Sequence, residues 1–352
     1  MMWRIALSLS EKKNEKDSKK CVVQAIGLLV FSGVLCVEAI WGVFCYGESM
    51  LKKKTDSYLR ANSGFTYDGK EYCYREDIIN ILCIGVDREE SMMFDYGDGR
   101  SLGQADAIFL VSIDLSHDAI RVIAVPRDTM VWMKVYDNNG NYLCDAPGQI
   151  TLQYAYADGG PMSCYLMTRQ VADLLQGIPI QGCVAVNLSC ISAINDAVGG
   201  VEVMLAEDYT AFNPKFKDGA TIRLQGEEAR DFIQKRDVNE QGSAYARIDR
   251  EKQYLKAFIE QAKFAVKRNP MLPFSLLLQL QENMTMNIGQ EEIFFLIQKA
   301  LSCSYSEEEI YVLPGQIVQG DVYEEYYLDE KAVMELTCTL FCREVADGAD
   351  MR

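Results

Sequence analysis

Three apolar runs separated by polar stretches mark the middle of the chain: Asn80-Ile-Leu-Cys-Ile-Gly-Val-Asp-Arg88, Gly103-Gln-Ala-Asp-Ala-Ile-Phe-Leu-Val-Ser-Ile113 and Arg121-Val-Ile-Ala-Val-Pro-Arg-Asp-Thr129. Runs of this length, bounded by turn and charged residues, read as strands buried on both faces. They predict strands over 78–86, 107–113 and 120–125, the last two meeting at the turn Leu115-Ser-His-Asp118. Further strands are predicted over 183–188, 201–205 and 309–313. Helical spacing marks 164–175, 191–198, 227–234, 244–267, 273–281 and 291–301, with Gly177, Gly199-Gly200 and Pro270 as stop signals. Strands alternating with helices predict an α/β fold, a three-layer α-β-α sandwich with a mixed central sheet. Residues 88–105 are rich in Glu, Asp, Gly and Ser and read as a long loop.

One earlier apolar run, 21–46, is long enough to cross a hydrocarbon core of about 30 Å as a transmembrane helix. Gln24 and Glu38 interrupt it, and Glu38 is costly at membrane depth unless paired, protonated or near a boundary. A cleaved signal peptide would have a shorter apolar core and an Ala-x-Ala site, and a buried core helix would not follow a lysine-rich stretch. The organisation predicted is a cytoplasmic tail over 1–20, the membrane helix over 21–46 and a juxtamembrane stalk over 47–77. A single extracytoplasmic domain follows over 78–345, then a tail over 346–352. Arg4, Lys12, Lys13, Lys16, Lys19 and Lys20 precede the run, and Lys52, Lys53, Lys54 and Arg60 follow it. The positive-inside rule favours a cytoplasmic N-terminus by this small margin.

Composition narrows the chemistry. A formal charge of -16 over 352 residues argues against a nucleic-acid partner, which needs a basic surface. Of the 12 cysteines, an odd number lie beyond the apolar run, none in a CxxC pair, so a zinc ribbon is not expected and at most one or two disulfides are. His117, the one histidine, sits in a predicted turn and reads as exposed and chemically idle, which excludes a His-dependent triad and a His-rich zinc site.

The strand tips carry the candidate chemistry. Asp87 follows the first run, Asp106 precedes the core of the second, and Arg127 and Asp128 follow the third. Acids and an arginine at neighbouring strand ends bring a cation and an anionic substrate together, or they cap turns; spacing alone leaves both readings open. Later segments add Gln149-Ile-Thr-Leu-Gln-Tyr-Ala-Tyr-Ala-Asp-Gly-Gly160, Val186-Asn-Leu-Ser189, Ile194-Asn-Asp-Ala-Val-Gly-Gly-Val-Glu-Val203, Leu224-Gln-Gly-Glu-Glu-Ala229, Arg236 and Arg247-Ile-Asp-Arg250. In this order, over roughly 78–345, they resemble the LytR-CpsA-Psr family of cell-envelope proteins.

The resemblance implies a metal-dependent phosphotransferase that moves a glycopolymer from a polyprenyl-pyrophosphate carrier to peptidoglycan, outside the membrane. It implies Mg²⁺ or Mn²⁺ held by Asp87 and Asp106, with Arg127 and Arg236 stabilising phosphate charge. Arg88, Gln104, Gln234, Arg247 and Arg250 would contact substrate; for Arg247 and Arg250, three apart on a helix, a salt-bridged surface stripe is the alternative. It further implies an apolar tunnel for the polyprenyl chain, with Phe109, Val111, Leu174, Leu175, Val184, Val186 and Ile194 as candidate lining, although core packing accounts for each taken singly. Membrane lipid is implied as a neighbour. The chain departs from the family pattern at Gln104 and Gln234, where arginines are usual, at Ala244, where an acid is usual, and at Glu251, where a glutamine is usual. Arg88 and Arg100 are candidates to replace the lost charge. These departures motivate an alternative function, a non-catalytic polyprenyl-pyrophosphate-binding scaffold or regulator. A transcription attenuator, an older label for the family, fits poorly with acidic charge and a membrane span.

Overall fold

The computed structural model describes residues 41–61, 64–88, 92, 102–137, 140–235, 243–304, 307–320 and 323–345. Helix α1 (41–61) leads into strands β1 (Phe65–Tyr67) and β2 (Lys70–Tyr74), then β3 (Ile78–Val86), β4 (Ala105–Asp114) and β5 (Ala119–Ala124). A hairpin of β6 (Met130–Tyr136) and β7 (Tyr142–Gln149) precedes α2 (Thr151–Ala155), α3 (Pro161–Leu174), β8 (Gly182–Asn187) and α4 (Leu188–Ala197). A second region holds β9 (Val201–Met204), β10 (Thr221–Leu224), α5 (Glu227–Gln234), α6 (Ser243–Arg268) and α7 (Leu272–Leu280). The chain ends through β11 (Met284–Met286), α8 (Gln290–Ser302), β12 (Ile310–Val312), β13 (Gly315–Gln319), β14 (Glu324–Leu328), α9 (Glu330–Phe341) and β15 (Cys342–Glu344).

The central sheet has the order β11-β8-β3-β4-β5-β12. It is mixed: β3 pairs with β8 and β5 with β12 in parallel, while β3-β4, β4-β5 and β8-β11 are antiparallel. Helices cover both faces. On one, Leu82, Ile84, Ile108 and Leu110 bury against Met167 and Val171 of α3 and Val333 and Leu340 of α9. On the other, Ile79, Ile81, Ile113 and Val122 meet α1, α6, α7 and α8 through Leu51, Ile259, Leu277 and Phe295. A separate cluster around Val201, Phe216, Phe232 and Tyr254 ties β9, β10 and α5 to α6.

The described residues of 47–77, expected to be a stalk, are built into the body instead. Leu51 of α1 is fully buried, Thr55 accepts a hydrogen bond from Gln181 Nε2 at 2.8 Å, and β2 pairs with β15. Apolar residues every third or fourth position of α1 give it a face to bury, which a solvated stalk would lack. Most of the 21–46 run lies outside the described residues; among the described residues no helix is long and apolar enough to cross a membrane.

Candidate functional site

The site forms where β3, β4 and β5 end side by side. Gly85 pairs with Ala107 but Val86 pairs with Ala105, so Asp106 is the extra residue of a β-bulge. The bulge changes which way Asp106 points. Ala105, Ile108 and Leu110 belong to the core shared with α3 and α9, whereas Phe109 and Val111 pack on the opposite face. With strict alternation Asp106 would join the first set; the bulge turns its half-buried side chain to the same side as Ala107 and Phe109. Gly103, at φ +77°, closes the approach: a Cβ there would stand 2.6 Å from Val86 Cγ1. The Gln104 carbonyl accepts the Asp87 N–H at 2.8 Å, fixing Asp87 beside the bulge.

Arg127 arrives from the third strand on a tight turn. Thr129 donates its N–H to the Pro126 carbonyl at 3.0 Å and its hydroxyl to the same oxygen at 2.6 Å. The turn presents Arg127 Nη1 to Asp106 Oδ1 in a close ion pair and Arg127 Nε to Asp128 Oδ1 at 3.4 Å. From α6, Arg247 Nη2 stands 3.9 Å from Asp128 Oδ2, and Arg247 Nε stands 3.5 Å from Glu251 Oε1. Acids and arginines therefore alternate along Asp106, Arg127, Asp128, Arg247 and Glu251, all largely buried. The Nε of both arginines lies out of solvent without a hydrogen-bond acceptor, so each keeps donor capacity for an incoming anion.

Burial sets the ionisation of this cluster. It raises the Asp106 carboxyl above its ordinary range; the Arg127 guanidinium opposes the rise and the Asp87 charge adds to it. Burial pushes Glu251 up to about 7, against the pull of Arg247 and Arg250.

The other expected contacts divide. Arg250 is buried, donating Nε to the Phe232 carbonyl at 2.9 Å and Nη2 to the Lys235 carbonyl, with its guanidinium over the rings of Tyr209 and Phe212. Two of its five N–H donors hold the end of α5, which carries Gln234, so it positions that segment. Arg88 is half-buried and its charge acts on Tyr154, a core phenol. Gln104 and Gln234 are half-buried. Arg236 and Arg100 lie outside the described residues. Asp128 joins the two arginines, its carboxylate reaching both Arg127 and Arg247. His117 is exposed but engaged: its Nδ1 lies 3.0 Å from Asp114 Oδ2, a carboxylate also bound by Arg75 and Arg121. Burial works upward on Asp114, but the hydrogen bonds from Arg121, Arg75, Ser116 and His117 outweigh it and hold the group well below the usual carboxylate range.

Below the charged cluster the sheet face is apolar and incompletely covered. Val184, Cys83 and Phe109 stand in one row across β8, β3 and β4, with Val186, Gly85 and Ala107 in the next row towards Asp106. All six are only partly buried although they lie in central strands. Gly85 and Ala107 pack closely directly under the cluster; a Cβ on Gly85 would meet Ala107 Cβ at 3.1 Å. Ile194 of α4 is half-buried as well, whereas Leu175 is fully buried and Leu174 packs with it in the core on the α3 side, away from this face. Among the described residues no group of three or more His, Cys, Asp or Glu side chains is arranged to hold a metal.

The chain belongs to the LytR_cpsA_psr family, whose sequence profile matches residues 43–341. It is 25% identical over 263 residues to the Bacillus cereus polyisoprenyl-teichoic acid–peptidoglycan teichoic acid transferase TagU, an alignment covering 75% of this chain and 78% of that protein. In fold it is similar to the crystal structure of B. subtilis TagV, with TM-score 0.55 and 24% identity over 75% of this chain and 96% of the other. It is similar also to TagT bound to LI-WTA, with TM-score 0.53 and 18% identity over 75% and 89%.

Proposed function

We propose that the chain is a membrane-anchored, extracytoplasmic phosphotransferase that moves a glycopolymer from a polyprenyl-pyrophosphate carrier to peptidoglycan. The observation that carries this reading is the juxtaposition of two features. The arginine-acid cluster from Asp106 to Arg247 stands at the head of a half-open apolar sheet face. A lipid pyrophosphate has the same two parts, a dense anionic head and a long hydrocarbon tail. The family membership and the TagU relative support the same substrate class.

In the reaction, a hydroxyl oxygen of the acceptor attacks the phosphorus bonded to the sugar. A new P–O bond forms, the bridging P–O bond breaks, and polyprenyl phosphate leaves with the bonding electrons. Charge builds on the bridging oxygen and on the oxygens of the transferred phosphorus. Arg127 and Arg247 are placed to meet that charge, and their buried positions make each contact stronger than it would be in water. Asp128, set between them, keeps the two guanidinium groups oriented. The proton released by the acceptor hydroxyl goes to a nearby base or to solvent.

Asp87 and Asp106 are the carboxylates that would hold a hard divalent cation. Asp87 and Asp106 are neighbouring carboxylates, and the charge of the first raises the second, an arrangement that a cation relieves. Mg²⁺ or Mn²⁺ held there would neutralise pyrophosphate charge.

The test is reconstitution of the full chain with a polyprenyl-pyrophosphate-linked glycan and peptidoglycan, following glycan attachment and polyprenyl phosphate release. Both products should form in wild type and fall at least a hundredfold in Arg127→Ala. Tight donor binding with no transfer across a panel of donors would replace this reading with the non-catalytic scaffold.

A further inference from the structure

Helix α1 changes character along one exposed face. Val43, Tyr46, Met50, Lys53 and Ser57 follow one another at three- or four-residue spacing and so share a side. Val43 is 40% exposed and Tyr46 56%, and Trp41 nearby reaches 68%. One to two turns further on, the exposed side chains become cationic. At a rise of about 1.5 Å per residue, Lys53 lies about 10 Å along the axis from Tyr46. An aromatic and apolar end followed by lysines is the order in which a helix meets a bilayer interface, rings at the boundary and cations at the headgroups.

A second element completes the surface. Between α1 and α3 lies an open cleft of about 540 Å³ whose walls include Lys53, Lys54, Ser57, Tyr58 and Arg169 and no carboxylate residue. In a chain of formal charge -16 the lining itself is cationic, with Glu292 and Asp173 as the acids nearest to its wall residues Lys54 and Tyr58. Two wall residues are fixed: Lys54 Nζ pairs with Glu292 Oε1 at 2.9 Å, and the Tyr58 hydroxyl donates to the Gly177 carbonyl at 2.6 Å. The other two cations are uncommitted. Among the described residues neither Lys53 nor Arg169 has a carboxylate within ion-pair distance, and both are exposed.

We infer that this cleft seats the phosphate headgroup of an anionic phospholipid from the membrane in which the chain is anchored. The occupant is argued from charge complementarity and from the aromatic end of the same helix, which directs the cleft towards the bilayer boundary. The inference rests on the anchored placement proposed above. It also assigns the cleft a purpose. Thr55 of α1 bonds to Gln181, whose N–H bonds to the Asn80 carbonyl, so α1 sits at the start of β3. Asn80 and Val86 are about 20 Å apart along the strand, with the charged cluster at the far end. Phe44 and Leu51 of α1 pack at the lower end of the apolar sheet face. A headgroup held between α1 and α3 keeps that lower end against the lipid while the anion site stands clear of it.

The experiment uses the purified full chain in a nonionic detergent, with phosphatidylglycerol and phosphatidylcholine added in equal amounts and retained lipid counted by native mass spectrometry. Wild type should retain the anionic lipid with about tenfold preference, and Lys53→Gln combined with Arg169→Gln should reduce the ratio to about one without shifting the melting temperature. Arg127→Ala should keep the preference. Equal retention by wild type, or an unchanged ratio in the double variant, overturns the inference. Displacement of the lipid by millimolar inorganic phosphate also overturns it, because the cleft would then be a general anion site. Loss of the preference in Arg127→Ala overturns it by assigning the lipid to the transfer site. Glycan transfer assayed in parallel keeps a failure of the enzymatic reading separate, since the lipid ratio does not depend on turnover.

Discussion

Arg247 and Glu251 stand one turn apart on α6, with Nε and Oε1 3.5 Å apart, and the rest of Arg247 reaches 3.9 Å from Asp128. Glu251 stands where the resemblance to the family implies a neutral glutamine. The carboxyl therefore adds a titratable charge beside an arginine that the proposed reaction uses.

This pair makes both stability and ligand binding depend on pH. Burial holds the Glu251 carboxyl up at about 7 in the folded chain, above the ordinary value of about 4.3. The folded state binds the extra proton between these values, so stability from this group is present at low pH and is lost as pH rises from about 4 through 7. The loss is on the order of 3 kcal/mol. Glu251→Gln should remove that slope and be the more stable form at pH 8, measured by denaturant unfolding across pH. Ionised Glu251 also competes with phosphate for Arg247. Wild type should bind a polyprenyl pyrophosphate more tightly at pH 6 than at pH 8, and Glu251→Gln should bind equally at both. Parallel pH profiles for the two proteins would remove Glu251 from the account.

Arg250 predicts a different phenotype from its neighbour. Its two hydrogen bonds to carbonyls and its ring contacts at 5.0 and 4.9 Å all serve the fold. Arg250→Ala leaves the Phe232 and Lys235 carbonyls unpaired and opens a cavity, and should cost on the order of 3 kcal/mol. Arg247→Ala should cost binding far more than stability. Equal melting temperatures for wild type and Arg250→Ala would contradict the structural role given to it.

The two acids at the strand ends predict metal affinity. Asp106→Asn keeps the shape of the bulge and removes one charge, so calorimetry on the full chain should show Mg²⁺ or Mn²⁺ binding weakened by at least tenfold with the fold intact. Asp87→Ala should act in the same direction. Unaltered affinity in both variants would detach the cation from these residues.

How much of this was legible beforehand varies with the range of the interaction. The bounds of β3 and α5 follow from the chain itself, because an apolar run stops at Asp77 and Asp87 in one case and a 3.6-residue pattern starts after Gly226 in the other. The hairpin of β6 and β7 was not legible: it exposes Trp132, Tyr142 and Leu143, so no alternation of apolar and polar residues announces it. The bulge at Asp106 is a property of two strands in register and cannot be read from either alone. The same holds for Arg250. Its helical spacing from Arg247 is visible in the sequence, but the carbonyls of 232 and 235 that claim it are set by packing of α5 on α6. Glu251, at i+4 from Arg247, was open to inspection as spacing; its burial was not.

The remaining prediction concerns Gln104, where the resemblance to the family implies an arginine. Arg88 was a candidate replacement, but its charge acts on Tyr154 in the core, and the charges that act most on Asp106 come from Arg127, Asp87, Arg247 and Asp128. Gln104 lies two residues before Asp106, half-buried, with its carbonyl already committed to Asp87 and its side chain free to be exchanged without disturbing that bond. Gln104→Arg should add one charge-assisted contact to a bound pyrophosphate, worth roughly 1.5–3 kcal/mol, or about ten- to a hundredfold in affinity. Arg127→Ala should weaken binding by at least as much, because it also leaves Asp106 without its partner. Calorimetric titration of wild type and the two variants with a short-chain polyprenyl pyrophosphate compares them directly. Tightening in the first and weakening in the second locate the diphosphate between β3, β4 and α6. If Gln104→Arg changes nothing while Arg127→Ala weakens binding, the diphosphate lies on the α6 side of Arg127, and the loss of the usual arginine at 104 carries no cost to this chain.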